Sequence, residues 1–270
     1  MEVDFVKQHG LLLFGGVVAT FLFCACTASS DPLVSKIEQE TSDFPVQQTK
    51  QITTTIQTTI VTTTTERAPQ LLETVPERAV LEVEPIFQNP ELPTGCEITS
   101  LTTLLQYLGF EVDKVTMAND YLFCTYDTAK YTLEDAYIGT PDSDNGFGCY
   151  APVLVDAADC YLQTQNCEQK AIDLTGSREE TICRYVASGY PVVMWITIGL
   201  YDMYEEIGWT TENGEEVMWC ELEHCVLLHG YDKETNTVYV CDPLNGDVTY
   251  EMERYFQIYD DMHRRAMTIY

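Results

Sequence analysis

The stretch QNPELPTGCEITSL, residues 88–101, decides the fold. Thr94, followed three residues later by Glu97, has the pattern of a capping box, and Ile98, Leu101, Leu104, Leu105 and Leu108 recur behind it at helical spacing. Gly109 supplies the stop. The pattern predicts a helix with Thr94 as N-cap and Cys96 at its second position. Free backbone N–H groups and the positive end of the helix dipole stabilise a thiolate there, and a nucleophilic cysteine needs that environment. Taken alone, a buried or disulfide-bonded cysteine would be the simpler account.

Working outward, a thiolate needs a base, and the chain has four histidines. His9 adjoins an apolar N-terminal run and His263 lies in a charged run, which leaves His224 and His229 in EHCVLLHGYD, residues 223–232. This segment reads as a buried strand, on which two residues five apart face opposite ways, so one of them can face Cys96. The next strand, VYVCDPLNG at 238–246, offers Asp242 across the hairpin from His224. His229, beside Gly230, has no comparable partner and is read as structural. If His224 lies directly opposite Asp242, then Cys225 lies opposite Cys241 at a spacing that admits a disulfide. A staggered pairing would instead leave Cys225 a free buried thiol.

With these residues in place, the region from about Pro85 to Tyr270 resembles the Peptidase C39-like family, bacterial relatives of the bacteriocin-processing peptidases. The resemblance rests on PTGCE at 93–97 with Gln88 upstream, GFGCYAP at 146–152, YPVVMWITI at 190–198, EHCVLLHGYD and CDPLNG at 241–246. It implies Cys96 as nucleophile, His224 as base, Asp242 as the group that orients the His, and Gln88 as the side chain of the oxyanion hole. It also implies an α+β domain of papain-like fold, with the Cys96 helix packed on an antiparallel sheet, and a cysteine peptidase that cleaves a peptide or isopeptide bond. No cofactor and no metal is expected. A cell-wall amidase or transpeptidase would use the same four residues. A non-catalytic surface module that holds peptides is the alternative outside enzymes, and the intact residue set argues against it.

The flanks and composition bear on location and partners. Leu11 to Ala25 is apolar and uncharged, too short for a comfortable span and suited to an export signal, and Phe23-Cys24-Ala25-Cys26 resembles a lipobox. The expected organisation is a signal or anchor over 1–28, a Thr-rich stalk over 29–83 and the catalytic domain over 84–270. The protein is then held on the outer face of a bacterial cell by a lipid on Cys26 or by an uncleaved anchor. Ten of the twenty residues from Val46 to Thr65 are Thr, which cannot build a core. Eleven cysteines favour an oxidising compartment and disulfides. The net charge of −29 opposes binding to nucleic acid or anionic lipid and leaves a peptide or protein as the expected partner. Nine acids and no Lys or Arg between Tyr185 and Asp232 would attract a cationic peptide or form a solvated acidic face. Trp209 to Trp219 reads as a hairpin with a type I′ turn at Asn213-Gly214. Gly146 and Gly148 suit either a tight turn or a close backbone approach. The scattered acids from Asp120 to Asp144 lack the spacing of a calcium loop.

Overall fold

Two runs rich in apolar and β-branched residues, VVMWIT and EHCVLLHGYD, form the buried centre of the sheet. The computed structural model describes residues 68–270. In chain order the elements are β1 (Arg78–Val80), α1 (Cys96–Tyr107), α2 (Lys114–Asp120), β2 (Cys124–Thr125), β3 (Tyr137–Ile138), α3 (Ala151–Gln165), β4 (Ala171–Asp173) and α4 (Glu179–Ala187). They continue with β5 (Val192–Thr197), β6 (Glu206–Thr210), β7 (Glu216–Trp219), β8 (Glu223–Asp232), β9 (Thr237–Asp242), β10 (Gly246–Glu251), α5 (Met252–Asp261) and β11 (Ala266–Ile269). The main sheet runs β10-β9-β8-β5-β11-β4 and is antiparallel throughout. Helix α1 lies against β8 and β5, and α5 against β5, β9 and β10. Trp195, Tyr231, Tyr255 and Tyr259 are fully buried between these layers. The expected α+β arrangement, a cysteine-bearing helix laid on an antiparallel sheet, is the one observed.

Strand β1 lies inside the stretch read as stalk, so regular structure begins before Pro85. Its cause is the length of β8: β5 pairs with Glu223–Leu228 and leaves the end of that edge bare. Strand β1 covers Gly230–Asp232, with Arg78 in an ion pair to Asp232 at 3.1 Å and the Tyr231 hydroxyl donating to Pro76 O. Three residues are too few for a visible period. The export signal, Cys24, Cys26 and the Thr-rich segment up to residue 67 lie outside the described residues. Among the described residues, no helix is long and apolar enough to cross a membrane.

The proposed cross-strand disulfide is corrected by the register. Leu227, rather than Cys225, pairs with Cys241, and His229 is an extra residue bulged between the Leu228 and Gly230 pairs. Cys225 therefore sits two places along from Cys241, and all nine described cysteines are free. The β6-β7 hairpin forms, but its turn is not type I′, because Gly214 has a positive φ and Asn213 does not. Three residues, Glu212 to Gly214, bridge Thr211 and Glu215, whose N–H to O bond is 2.9 Å.

Candidate active site

The N-terminus of α1 brings Cys96 to the mouth of a cleft of ≈ 180 Å³ that is also lined by Gln88, Gly148, Trp219, Glu223 and His224. Here the structure departs from the capping box. Gly95 is the N-cap, without a side-chain bond, and Cys96 is the first helical residue rather than the second. Thr94 is held by the neighbouring loop: its hydroxyl donates to Ser143 O at 2.9 Å and accepts from the Tyr137 hydroxyl at 2.9 Å. Gly146 packs against Thr94 so closely that a Cβ would collide with the Thr hydroxyl. Glu97 turns inward, fully buried.

His224 begins β8 and Asp242 ends β9. With Leu227 opposite Cys241, Val226 falls opposite Asp242, so the His reaches the carboxylate diagonally. Its Nε2 lies 2.8 Å from Asp242 Oδ1, and both residues are almost wholly buried. The aspartate is over-determined. Its Oδ1 also accepts from the Leu244 N–H at 2.8 Å, and its Oδ2 accepts from Asn245 Nδ2 at 2.8 Å and the Tyr250 hydroxyl at 3.3 Å. Burial alone would raise its pKa, but the bonds from His224, Asn245 and Leu244 outweigh burial and hold it at about 2. In a neutral imidazole at this site, Nε2 carries the hydrogen given to Asp242 and Nδ1 is the acceptor.

Cys96 is 7% exposed and donates to Glu97 Oε2 at 3.2 Å. Glu97 Oε1 in turn accepts from the Cys149 N–H at 2.9 Å, and the Cys149 carbonyl accepts from Trp195 Nε1 at 2.9 Å. A chain of bonds thus runs from the centre of the sheet to the thiol. Burial, then the nearby Glu97 and Glu223 carboxyls, push the Cys96 thiol well up, which favours the neutral form. Burial likewise raises Glu97 and, more strongly, Glu223. Gly148, at φ +98°, makes room for both acids: a Cβ there would stand 2.5 Å from Glu97 Oε1 and 3.1 Å from Glu223 Oε2.

Gln88 also lines the cleft, 3% exposed, with Nε2 donating to Pro93 O at 2.7 Å. An amide nitrogen carries two hydrogens, and the bond to Pro93 O uses one of them. Lys114 fixes this loop by donating to the carbonyls of Phe87 and Gln88 and by pairing with Glu91 at 2.8 Å. His229 stands apart from the cleft and bonds Leu81 O at 2.9 Å and Asp247 Oδ1 at 3.2 Å, so it does have an acidic partner and it braces β8.

The four residues singled out from sequence therefore share one site, with Cys96, His224 and Gln88 on the cleft and Asp242 behind the His. Glu97, Glu223 and Lys114 were missed as site residues. The first was spent on a capping pattern, Glu223 stood in EHCVLLHGYD without a role of its own, and Lys114 carries no local signal.

The profile of the Peptidase_C39 like family matches residues 80–267. The uncharacterized protein YvpB of Bacillus subtilis (strain 168) is 32% identical over 158 residues, which are 57% of this chain and 60% of that protein. The chain thus spans less than two thirds of the length of that relative. A crystal structure named as a C39-like peptidase from Bacillus anthracis is 33% identical, with a TM-score of 0.63, and is covered over 98% of its length by 72% of this chain.

Proposed function

This chain belongs to the Peptidase_C39 like family, and from that membership we propose that it is a cysteine peptidase that hydrolyses a peptide or isopeptide bond with Cys96 as nucleophile, His224 as base and Asp242 orienting the base. The observation that carries this reading is the buried His224–Asp242 pair at 2.8 Å beside a cleft that opens on Cys96 at a helix N-terminus. Three bonds at Asp242 from outside the pair hold the carboxylate while the imidazole changes charge.

The reaction begins with the Cys96 thiol turning from Glu97 to His224 Nδ1 and giving up its proton there. The thiolate attacks the substrate carbonyl, and the developing oxyanion takes the Cys96 N–H and the second hydrogen of Gln88 Nε2. His224 passes its proton to the leaving amine, and water, activated by the same imidazole, hydrolyses the thioester. The exposed Glu221 lines the cleft, and no Lys or Arg is among its lining residues, which supports a substrate with a cationic group near the cleaved bond. The apolar run at 11–25 and Cys26 support attachment to the outer face of the membrane.

The test is covalent labelling of the folded protein with a peptide amide carrying a thiol-reactive carbonyl mimic, followed by mass mapping of the modified residue. Labelling at Cys96, lost in Cys96→Ala and His224→Ala with the fold intact, is expected. Full hydrolysis by Cys96→Ala of a substrate that the wild type cleaves would refute the mechanism.

A further inference from the structure

We propose that Cys96, Glu97 and Glu223 form a binding site for one thiophilic divalent cation of the zinc class, and that the bound ion withholds the Cys96 sulfur from catalysis. The second half rests on Cys96 being the nucleophile, whereas the binding itself does not. One ligand atom from each of the three residues lies within 4.8 Å of the other two. A tetrahedral zinc ion with ordinary Zn–S and Zn–O bonds places a sulfur and an oxygen ligand about 3.5 Å apart. Cys96 Sγ and Glu97 Oε2 already stand at 3.2 Å.

The surroundings are organised for a cation rather than for the thiol proton alone. Glu97 Oε1 is tied to the Cys149 N–H, so Oε2 is aimed at Cys96. Half-buried Glu223 contributes an independent sign: its Oε1 is an inaccessible oxygen without a hydrogen-bond partner, a costly state that a metal bond to this carboxylate would relieve. Gly148 keeps both carboxyls near each other by lacking a side chain that would push them apart. Arg265, a nearby cation, is stacked 3.5 Å from the Tyr150 ring and paired with Glu134 at 3.6 Å.

A thiolate with two carboxylates suits a borderline-soft ion that accepts both sulfur and oxygen, and the three leave a fourth position open to the cleft, where water completes the tetrahedron. On binding, the thiol proton and any carboxyl proton leave to solvent, one metal–sulfur and two metal–oxygen bonds form, and nothing is oxidised or reduced. Sequence spacing hides the site, because two ligands are adjacent and the third is 126 positions on.

The experiment uses reduced, chelator-stripped protein in the absence of any peptide. Cobalt(II) is titrated in and read by the near-ultraviolet thiolate-to-cobalt charge-transfer band, and zinc(II) is titrated in a calorimeter. The expected results are a one-to-one cobalt band that is absent in Cys96→Ser, and a zinc affinity reduced at least tenfold in Glu223→Gln but unchanged in Glu221→Gln. A band that persists in folded Cys96→Ser would overturn the site, and so would equal zinc affinity in folded Glu223→Gln and wild type. Should Glu223→Gln fail to fold, the near-isosteric Cys96→Ser decides alone. If peptide labelling at Cys96 succeeds while the cobalt band is missing, the metal site falls and the peptidase reading stands. If the band is present and no peptide is cleaved, the reverse holds.

Discussion

Replacing Gly148 by Ala tests whether the buried Glu97 and the half-buried Glu223 are packed as described. The backbone there has φ +98°, a left-handed conformation that costs a residue with a Cβ about 1–2 kcal/mol. The new methyl would stand 2.5 Å from Glu97 Oε1, so the carboxyl must move away from the Cys149 N–H, and an orphaned buried donor costs about 1–3 kcal/mol. The two effects together predict a loss of about 2–5 kcal/mol. Gly109 and Gly189, both at φ +92° with nothing within 4 Å of a built Cβ, supply controls that carry the backbone cost without the contact. Their Ala variants should lose about 1–2 kcal/mol. Urea titration of the three variants at unchanged m-value makes the comparison. Equal losses in Gly148→Ala and the two controls would show that the carboxyls do not crowd this position.

The pH dependence of Asp242 has a definite sign. Its folded pKa of about 2 lies below the ordinary 3.8, so its contribution is present above about pH 4 and disappears as pH falls towards 2. Wild type should lose on the order of 2 kcal/mol more than Asp242→Asn over that interval, as read by urea titration at each pH, and parallel losses would contradict it. In catalysis, Asp242→Asn should retain weak turnover, about 10³–10⁴-fold below wild type, while His229→Ala stays within about tenfold. Comparable damage from both would remove the distinction between the two histidines. For substrate charge, the rate on basic peptides should fall with added salt while that on neutral peptides holds, and salt-independent rates for both would end the idea of steering. Alkylation of denatured, unreduced protein should modify both Cys225 and Cys241, whereas a peptide pair joined through them would reject the register.

What the sequence discloses follows the physics of each feature. Helix α1 is legible because Ile98, Leu101, Leu104 and Leu105 repeat at its own period and are all completely buried. Strands β5 and β8 are legible as short apolar runs, and His224 emerges by elimination among few histidines. The stagger of His224 on Asp242 is not legible, since it depends on one bulged residue, His229, and bulges leave little trace in an apolar strand. Glu97 shows why a local pattern can mislead: Thr94 and Glu97 fit a capping box, yet tertiary partners at Tyr137, Ser143 and Cys149 claim both side chains. Lys114 and Glu223 act through contacts with residues distant in sequence, which no window of the chain contains.

The pairing of β1 with the far end of β8 also has a mechanical meaning. A pull on the chain before residue 72 meets the domain first at the Leu72 N–H bond to Ser188 Oγ and the Tyr231 bond to Pro76 O, and then at the three-residue β1 ladder and the Arg78–Asp232 ion pair. It is therefore delivered to the strand whose other end carries His224. Strand β8 is gripped on both edges, by β5 and β9, so it can take tension along its axis without peeling away. The Leu81 N–H to His229 carbonyl bond and the His229 side chain's bond to the Leu81 carbonyl spread that load before it reaches the cleft. The domain can thus be held at this edge under strain while His224 and Asp242 keep their spacing.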